Sequence, residues 1–438
     1  MDIHDTTHPV SCQKSDLPPE TDHILHGADS GLPFRGAFIY GETSGRKERL
    51  MGILSNTVSI YQYKVDGTPD NASWVQECLD RSRFVPIDAT PEEDSAGWVT
   101  LDDHGSSDFG NENVFRRDPY YAFTLRRDQR RVPPAVLKGM VDRECSRWLA
   151  ERPAITRMPY RRKAEIRENI HTSLLGKTLP LPSFCDVVWN TETGIVTVAG
   201  ITERVLDMVE DHFDSTFDGL NLHPIHPMER AYRVLDKERH RLLEKADQAP
   251  SRDVLLQIKR NRWVGWDFLL WLMYRTGKGA SVYEVNQEGP LEKGEGFMAY
   301  VHDKFVLVAE HEQGRRRSAI TGVQREFAEA REALRDGKNI VDALIYLEKE
   351  PRSWKVSLKA DIFAFGSFAC PVVQLERDEI TDPFQERIAV FYERMSLLET
   401  GLQLFDSLFS TFMAERIGGA WPDRLRHINE WMGTQHMK

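Results

Sequence analysis

At 438 residues, 40% of them hydrophobic, the chain has room for two or three domains with real cores. Its 68 acidic against 57 basic side chains leave a net charge of −11, which excludes a coat that binds nucleic acid over its whole surface. Five scattered cysteines (Cys12, Cys78, Cys145, Cys185 and Cys370) without CxxC spacing exclude a disulfide framework or a cysteine zinc site and indicate a reducing compartment. No apolar run reaches the roughly 20 residues of a membrane span, and the polar start is no signal peptide. A soluble cytoplasmic protein with no membrane partner is expected.

Residues 1–50 mix Pro, Gly, Ser, His and Asp without period and are expected to form a disordered N-terminal extension. A region of residues 51–227 follows. It opens with a strand over Gly52–Lys64, rich in Val, Ile, Thr and Tyr. Asp70 is expected to cap a short helix with Trp74, Val75, Cys78 and Leu79 on one face. Short strand pieces come next at Arg83–Pro86 and Gly97–Val99, then a longer one at Tyr120–Arg127. Pro134 starts a helix to about Ala150 with Val136, Leu137, Met140, Val141, Cys145, Trp148 and Leu149 inward. A second helix runs from Pro159 to about Leu175 on a thin seam of Ile166, Ile170 and Leu174. Two helices this polar make a poor core and suggest a protruding finger over about 134–176. A Pro-rich turn, Thr178–Ser183, leads to a hairpin of Phe184–Trp189 and Ile195–Ala199. Thr202 then caps a helix with Val205, Leu206, Val209 and Phe213 inward.

The second region, 228–438, begins with charged helices over about Met228–Lys245 and an aromatic helix carrying Trp263, Trp266 and Trp271. Strands are expected at Gly296–Val301, Phe305–Ala309 and Ser318–Val323, with His302-Asp303 at a hairpin tip and Arg315-Arg316-Arg317 in a loop. A helix near Gln324–Asp336 precedes a strand hairpin, Ile340–Lys349 with Trp354–Asp361. The last helix carries Phe384, Ile388, Phe391, Met395, Leu398, Leu402, Phe405, Phe409 and Phe412 in alternating steps of four and three. That heptad seam requires a partner along its length. Either the chain's own sheet or helices, or a second copy, can supply it. The fold class is therefore α+β: antiparallel sheets, a basic helical finger and a long C-terminal amphipathic helix.

One stretch stands apart in charge. From Phe115 to Arg167 fifteen cations face six acids, the footprint of a surface that meets a polyanion. The candidate DNA contacts are Arg157, Arg161, Arg162, Lys163 and Arg167, with Arg143 and Arg147 one helical turn apart as second choices. Arginine suits forked phosphate contacts. No zinc-finger spacing, basic zipper or aromatic RNA-binding signature is present to read bases, so binding is expected to ignore sequence.

Several of these pieces, in this order, resemble the recombination-associated protein RdgC family. They are Gly97-Trp98-Val99, Val132-Pro133-Pro134-Ala-Val136 at a helix start, Lys163-Ala-Glu-Ile-Arg-Glu168, Leu181-Pro-Ser-Phe184, and Val188-Trp-Asn-Thr-Glu-Thr-Gly-Ile-Val196. The likeness covers roughly Gly52–Pro227; from Asp267 onward it extends only to longer members. Ser183 stands where the family's Leu-Pro-Arg-Ala-Phe turn has arginine. The resemblance implies an α+β fold and a ring-shaped homodimer whose positive hole holds double-stranded DNA without sequence preference. It also implies a nucleoid-associated role in restraining RecA-type strand exchange and in replication-fork repair.

Two alternatives stay open, a metal-dependent exonuclease and a protein-binding scaffold. A two-metal nuclease needs several acidic ligands around paired cations, and sequence spacing gathers none. His223-Pro-Ile-His226 reads as a turn, Glu310-His311-Glu312 as a charged strand end, and the tryptophans as core. No catalytic residue, metal site or cofactor is assigned, and no nucleotide-binding glycine motif occurs.

Overall fold

The first strand joins the two halves of the sheet, because its two ends pair with strands from opposite parts of the chain. In the computed structural model, residues 52–90, 92–249, 253–311, 314–322, 326–374 and 382–433 are described. The extension expected over 1–50 lies outside them. The first half runs β1 (Thr57–Asp66), α1 (Ala72–Arg81), β2 (Asp94–Thr100), β3 (Arg116–Arg117) and β4 (Tyr120–Gln129). It continues through α2 (Pro134–Ala150), α3 (Tyr160–Leu175), β5 (Leu181–Asn190), β6 (Ile195–Val198), α4 (Glu203–Thr216) and β7 (Asn221–Pro224). The second half holds α5 (Pro227–Val234), α6 (Lys237–Ala246), α7 (Val254–Arg260), α8 (Trp263–Gly277), β8 (Val282–Glu284), β9 (Gly296–His311) and β10 (Gly314–Thr321). It ends with α9 (Ala328–Arg335), β11 (Asn339–Lys349), β12 (Arg352–Lys359), β13 (Ala364–Ala369), α10 (Pro383–Arg416) and α11 (Trp421–Met432).

The strands form one 13-stranded sheet in the order β10-β9-β11-β12-β13-β1-β6-β5-β4-β2, with β3, β7 and β8 paired off that path. Every strand pair is antiparallel, so the fold is α+β as expected. Thr57, Val58 and Ile60 of β1 pair with β13, and Tyr61–Lys64 pair with β6. The region from Arg49 onward is accordingly one compact unit.

Alternation along the strands divides the apolar residues between two faces. Tyr61, Tyr63 and Val65 of β1, with Phe123 of β4 and Trp189 of β5, bury beneath α1 and α4. Val58, Ile60, Tyr120 and Val188 belong to a larger core that also takes in α5, α8, α10, α11 and the second-half strands. Within it Phe391, Met395, Leu398, Leu402, Phe405, Phe409 and Phe412 of the heptad seam are all buried. The seam's partner over these positions is therefore the chain's own sheet and α8. Leu397, Leu404, Leu408 and Met413 are buried too, so α10 is apolar around most of its girth, as suits a helix inside a core. Gly265 lets α8 lie directly on the strands, since a Cβ there would sit 2.0 Å from the Ala360 carbonyl oxygen.

Several local expectations need correction. Asn71, not Asp70, caps α1, its side chain accepting from the Trp74 amide at 2.8 Å. Leu181-Pro182-Ser183 is strand, not turn, because Gln129, Asp128 and Arg127 of β4 extend far enough to pair with it. His302-Asp303 lies inside β9, which continues past both residues against β11 with register shifts. Arg315-Arg316-Arg317 lies in edge strand β10, paired with Glu310, Ala309 and Val308. Exposed charge on an edge strand discourages further pairing.

One buried histidine, His226, and one half-buried, His212, give the fold a pH signature. Burial pushes the pKa of both His212 and His226 below the ordinary 6.5. Below about pH 6.5 the unfolded chain takes up protons that the folded chain refuses, so stability is full above that pH and falls beneath it. Urea midpoints from pH 7.5 down to 5.5 are expected to fall less steeply in a His212→Gln/His226→Gln variant than in the parent. Equal slopes would contradict this assignment.

Candidate nucleic-acid interface

The finger is built by α2 and α3, which pack on each other through a small core of their own. Leu137, Val141, Cys145 and Ile166 are buried there, with Val132, Trp148, Met158, Ile170 and Leu174 against them. This cluster is separate from the two main cores, the consequence of helices with too little apolar surface to join either. Pro134 starts α2 and Pro159 precedes α3, where a missing amide proton costs nothing. The remaining helix surface is left to charge. Over residues 134–176 nine Lys and Arg side chains face five acids.

All seven predicted contacts, Arg143, Arg147, Arg157, Arg161, Arg162, Lys163 and Arg167, are exposed on this finger. They are not equivalent. Arg162 pairs with Glu165 at 2.8 Å and Arg161 with the same carboxylate at 3.6 Å; Arg147 pairs with Glu144 at 2.6 Å. Among the described residues no carboxylate lies within ion-pair distance of Arg143, Arg157, Lys163 or Arg167. Lys138 of α2 is likewise exposed and without an ion pair, and these five are the cations most available to phosphate. Lys163 and Arg167 stand one turn apart on α3, and Tyr160, 89% exposed, lies a turn before Lys163. His171 continues the same line one turn beyond Arg167. Reading by charge alone passes over Tyr160 and His171, which only the helical register brings to this flank.

The other cations of the Phe115–Arg167 stretch do different work. Arg116 pairs with Asp118 and Glu112, both at 3.0 Å. Buried Arg117 meets Asp102 at 2.5 Å and lies 4.5 Å from the centroid of the Phe391 ring. Arg126 grips Asp128 through two bonds of 2.8 Å, and Arg127 forks onto Asp94. Buried Arg130 donates to the carbonyls of Leu175 and Thr178 at the finger's end and to those of Ile87, Asp88 and Thr90. The charge block is thus two populations: strand arginines spent on the fold, and finger cations turned to solvent.

Arg130 ties the finger to the sheet. Hydrogen bonds from a charged donor are worth about 1.5–3 kcal/mol each, and buried carbonyls left without partners add to the loss. Arg130→Ala is expected to destabilise the protein by more than about 2 kcal/mol and to make the 150–180 segment an early site of limited proteolysis. An unchanged digestion pattern would contradict the anchoring role.

A second cationic patch flanks the finger's base. Arg131 and Arg204 both donate to the Gln129 side chain, at 2.6 and 3.2 Å. They share a shallow surface pocket with Arg127, Leu181, Pro182 and Ser183. Arg204 lies in the first turn of α4, 29 residues after α3 ends at Leu175, so no local charge run reveals it; its bond to Gln129 at the end of β4 does.

The remaining candidates separate in space. His223 is exposed on β7, 3.7 Å from Asp66, whereas His226 is buried and bonded to Gln257 at 3.1 Å. Glu310 pairs with Arg262 at 2.9 Å; Glu312 and the His311 side chain lie outside the described residues. Trp271 is fully buried, and Trp263 and Trp266 pack against the main core. An open groove beside α4 carries Asp94, Glu203, Asp207 and Asp211. Among the described residues, however, no three His, Cys, Asp or Glu side chains are gathered so as to hold a metal ion. No described helix is long and apolar enough to cross a membrane.

Residues 55–237 match the family model described as "RdgC: Putative exonuclease, RdgC". The match supports membership of the RdgC family over these residues. No curated protein matches the chain. The RdgC match takes in the whole finger, β1 to β7 and α5. It stops before α8 and α10, which supply much of the larger core. Ser183, standing at the arginine position of the RdgC turn, donates to the Arg127 carbonyl at 3.1 Å. Arg131 and Arg204 lie around the same pocket, so the place retains positive charge from other positions.

Proposed function

We propose that the protein binds double-stranded DNA without regard to sequence, as a non-catalytic modulator of homologous recombination. In this reading it associates with the nucleoid as a ring-shaped homodimer, restrains RecA-type strand exchange and takes part in replication-fork repair. The observation that carries the DNA-binding part is the finger. Five unpaired cations, Lys138, Arg143, Arg157, Lys163 and Arg167, stand exposed on a small two-helix unit in a chain of net charge −11. Each phosphate they neutralise releases counterions, so affinity falls with salt at a slope of about 0.9 per contact. Point charges and guanidinium forks on helix flanks position a backbone but read no bases. The match of residues 55–237 to the RdgC family model supports the recombination role.

A second reading comes from the family's own description as an exonuclease. The acidic groove beside α4 is the place to test it. Incubating end-labelled duplex with magnesium is expected to leave the DNA intact while gel shifts show binding that weakens steeply with salt. Magnesium-dependent loss of ends that Asp207→Asn/Asp211→Asn abolishes would overturn the non-catalytic reading and leave the binding reading standing.

A further inference from the structure

Where α10 crosses the sheet face carrying Tyr120, Val188 and Asn190, the two do not close on each other. They leave a cavity of about 340 Å³, at the lower end of the roughly 300–1,000 Å³ typical of small-molecule sites. One wall comes from the family region and the other from the second half of the chain. Val188, Ile225, Val234, Met395, Leu398 and Leu402 give it an apolar lining.

Its polar groups fall at two ends. Glu399 accepts from the Tyr120 hydroxyl at 2.7 Å and from the Asn190 amide at 3.5 Å. Asp406 lies seven residues further along α10, about 10 Å away at the rise of an α-helix. There buried Arg230 donates to Asp406 at 2.5 Å and to Gln62 at 3.0 Å, its guanidinium held over the Phe365 and Phe405 rings. Arg233, three residues on along α5, lines the same end. It is exposed, and partial loss of hydration among its neighbours, together with the nearby Arg230 charge, pushes its pKa down. Among the described residues Arg233 has no hydrogen bond or ion pair. Glu288, at the rim, is engaged by Lys293.

Every carboxylate lining the pocket is thus engaged, Asp406 by Arg230, Glu399 by Tyr120 and Asn190, and Glu288 by Lys293, while the Arg233 guanidinium has no bonded partner among the described residues. We propose that this cavity binds a small organic anion with a compact apolar body, Arg233 holding its carboxylate or phosphate group and the body lying along α10 toward Glu399. The planar guanidinium fork matches either anionic group. The site is independent of the finger and of DNA binding.

The test uses the full chain carrying Arg143→Ala, Arg157→Ala, Lys163→Ala and Arg167→Ala, so that anion binding by the finger is reduced. Phenyl phosphate and benzoate are the probes, benzyl alcohol the uncharged control, with calorimetry and thermal shift as readouts. Saturable binding of one or both anions, and none of the alcohol, is the expected result; the tighter anion identifies the group the site takes. Arg233→Gln is expected to weaken binding at least tenfold, and Arg233→Lys to restore part of it. Leu402→Trp, which fills the cavity and leaves Arg233 in place, is expected to abolish binding. No saturable binding of either anion, or binding that survives both Arg233→Gln and Leu402→Trp, overturns the proposal.

Discussion

Removing four of the five unpaired finger cations together, as Arg143→Ala, Arg157→Ala, Lys163→Ala and Arg167→Ala, is expected to lower the salt slope of duplex binding by about 3.6, at about 0.9 per lost contact. Between about 50 and 200 mM salt, the variant should then lose about 150-fold less affinity than the parent. The four side chains are exposed and outside the finger's apolar seam, so each substitution should change stability by less than about 0.5 kcal/mol. Arg161, Arg162 and Lys163 should behave differently as a set. Arg161 and Arg162 share Glu165, and a phosphate must displace that carboxylate before either contributes in full. Their triple alanine variant is expected to lose less slope than the roughly 2.7 that three independent contacts would give. Fluorescence anisotropy with a labelled duplex over a salt series checks both. Equal slopes for parent and quadruple variant would remove these residues from the interface.

The second large effect lies in the core. Phe409 is fully buried on α10, with ring centroids of Phe363 at 4.9 Å, Phe268 at 5.4 Å, Phe412 at 6.1 Å and Phe405 at 6.2 Å. Phe409→Ala is expected to destabilise the protein by about 3–5 kcal/mol, the range for deleting a buried phenyl ring and leaving a cavity. Phe384→Ala, at the half-buried start of the same seam, should cost less. Urea denaturation gives both values. A near-neutral Phe409→Ala would mean that the seam is not part of the chain's own core.

How much of this was legible in the sequence depended on whether the signal was local. The boundaries of α2 and α3 follow from prolines and thin apolar seams, and the structure places α2 at Pro134–Ala150 and α3 at Tyr160–Leu175. The heptad seam of α10 was equally plain, but its partner was not. Periodicity shows that a face is buried without saying against what, and here it is the sheet and α8. Charge counting located the basic stretch and could not divide it. Arg126 meets Asp128 because alternation along β4 puts both on one face, and Arg127 meets Asp94 because β2 pairs with β4, whereas Arg157 and Lys163 lie outside the sheet. The arginines of edge strand β10 looked like loop because three consecutive charges carry no period. The cavity beside Arg233 could not be foreseen, since its walls come from residues more than a hundred positions apart.

The account rests on the finger touching DNA, and Tyr160 offers the most direct measurement of that contact. It is 89% exposed and one turn from Lys163. A photoreactive benzophenone residue placed at position 160 should crosslink duplexes of unrelated sequence with equal yield, falling as salt rises. Crosslinking confined to one sequence, or none while the same protein still shifts the duplex in a gel, would contradict it.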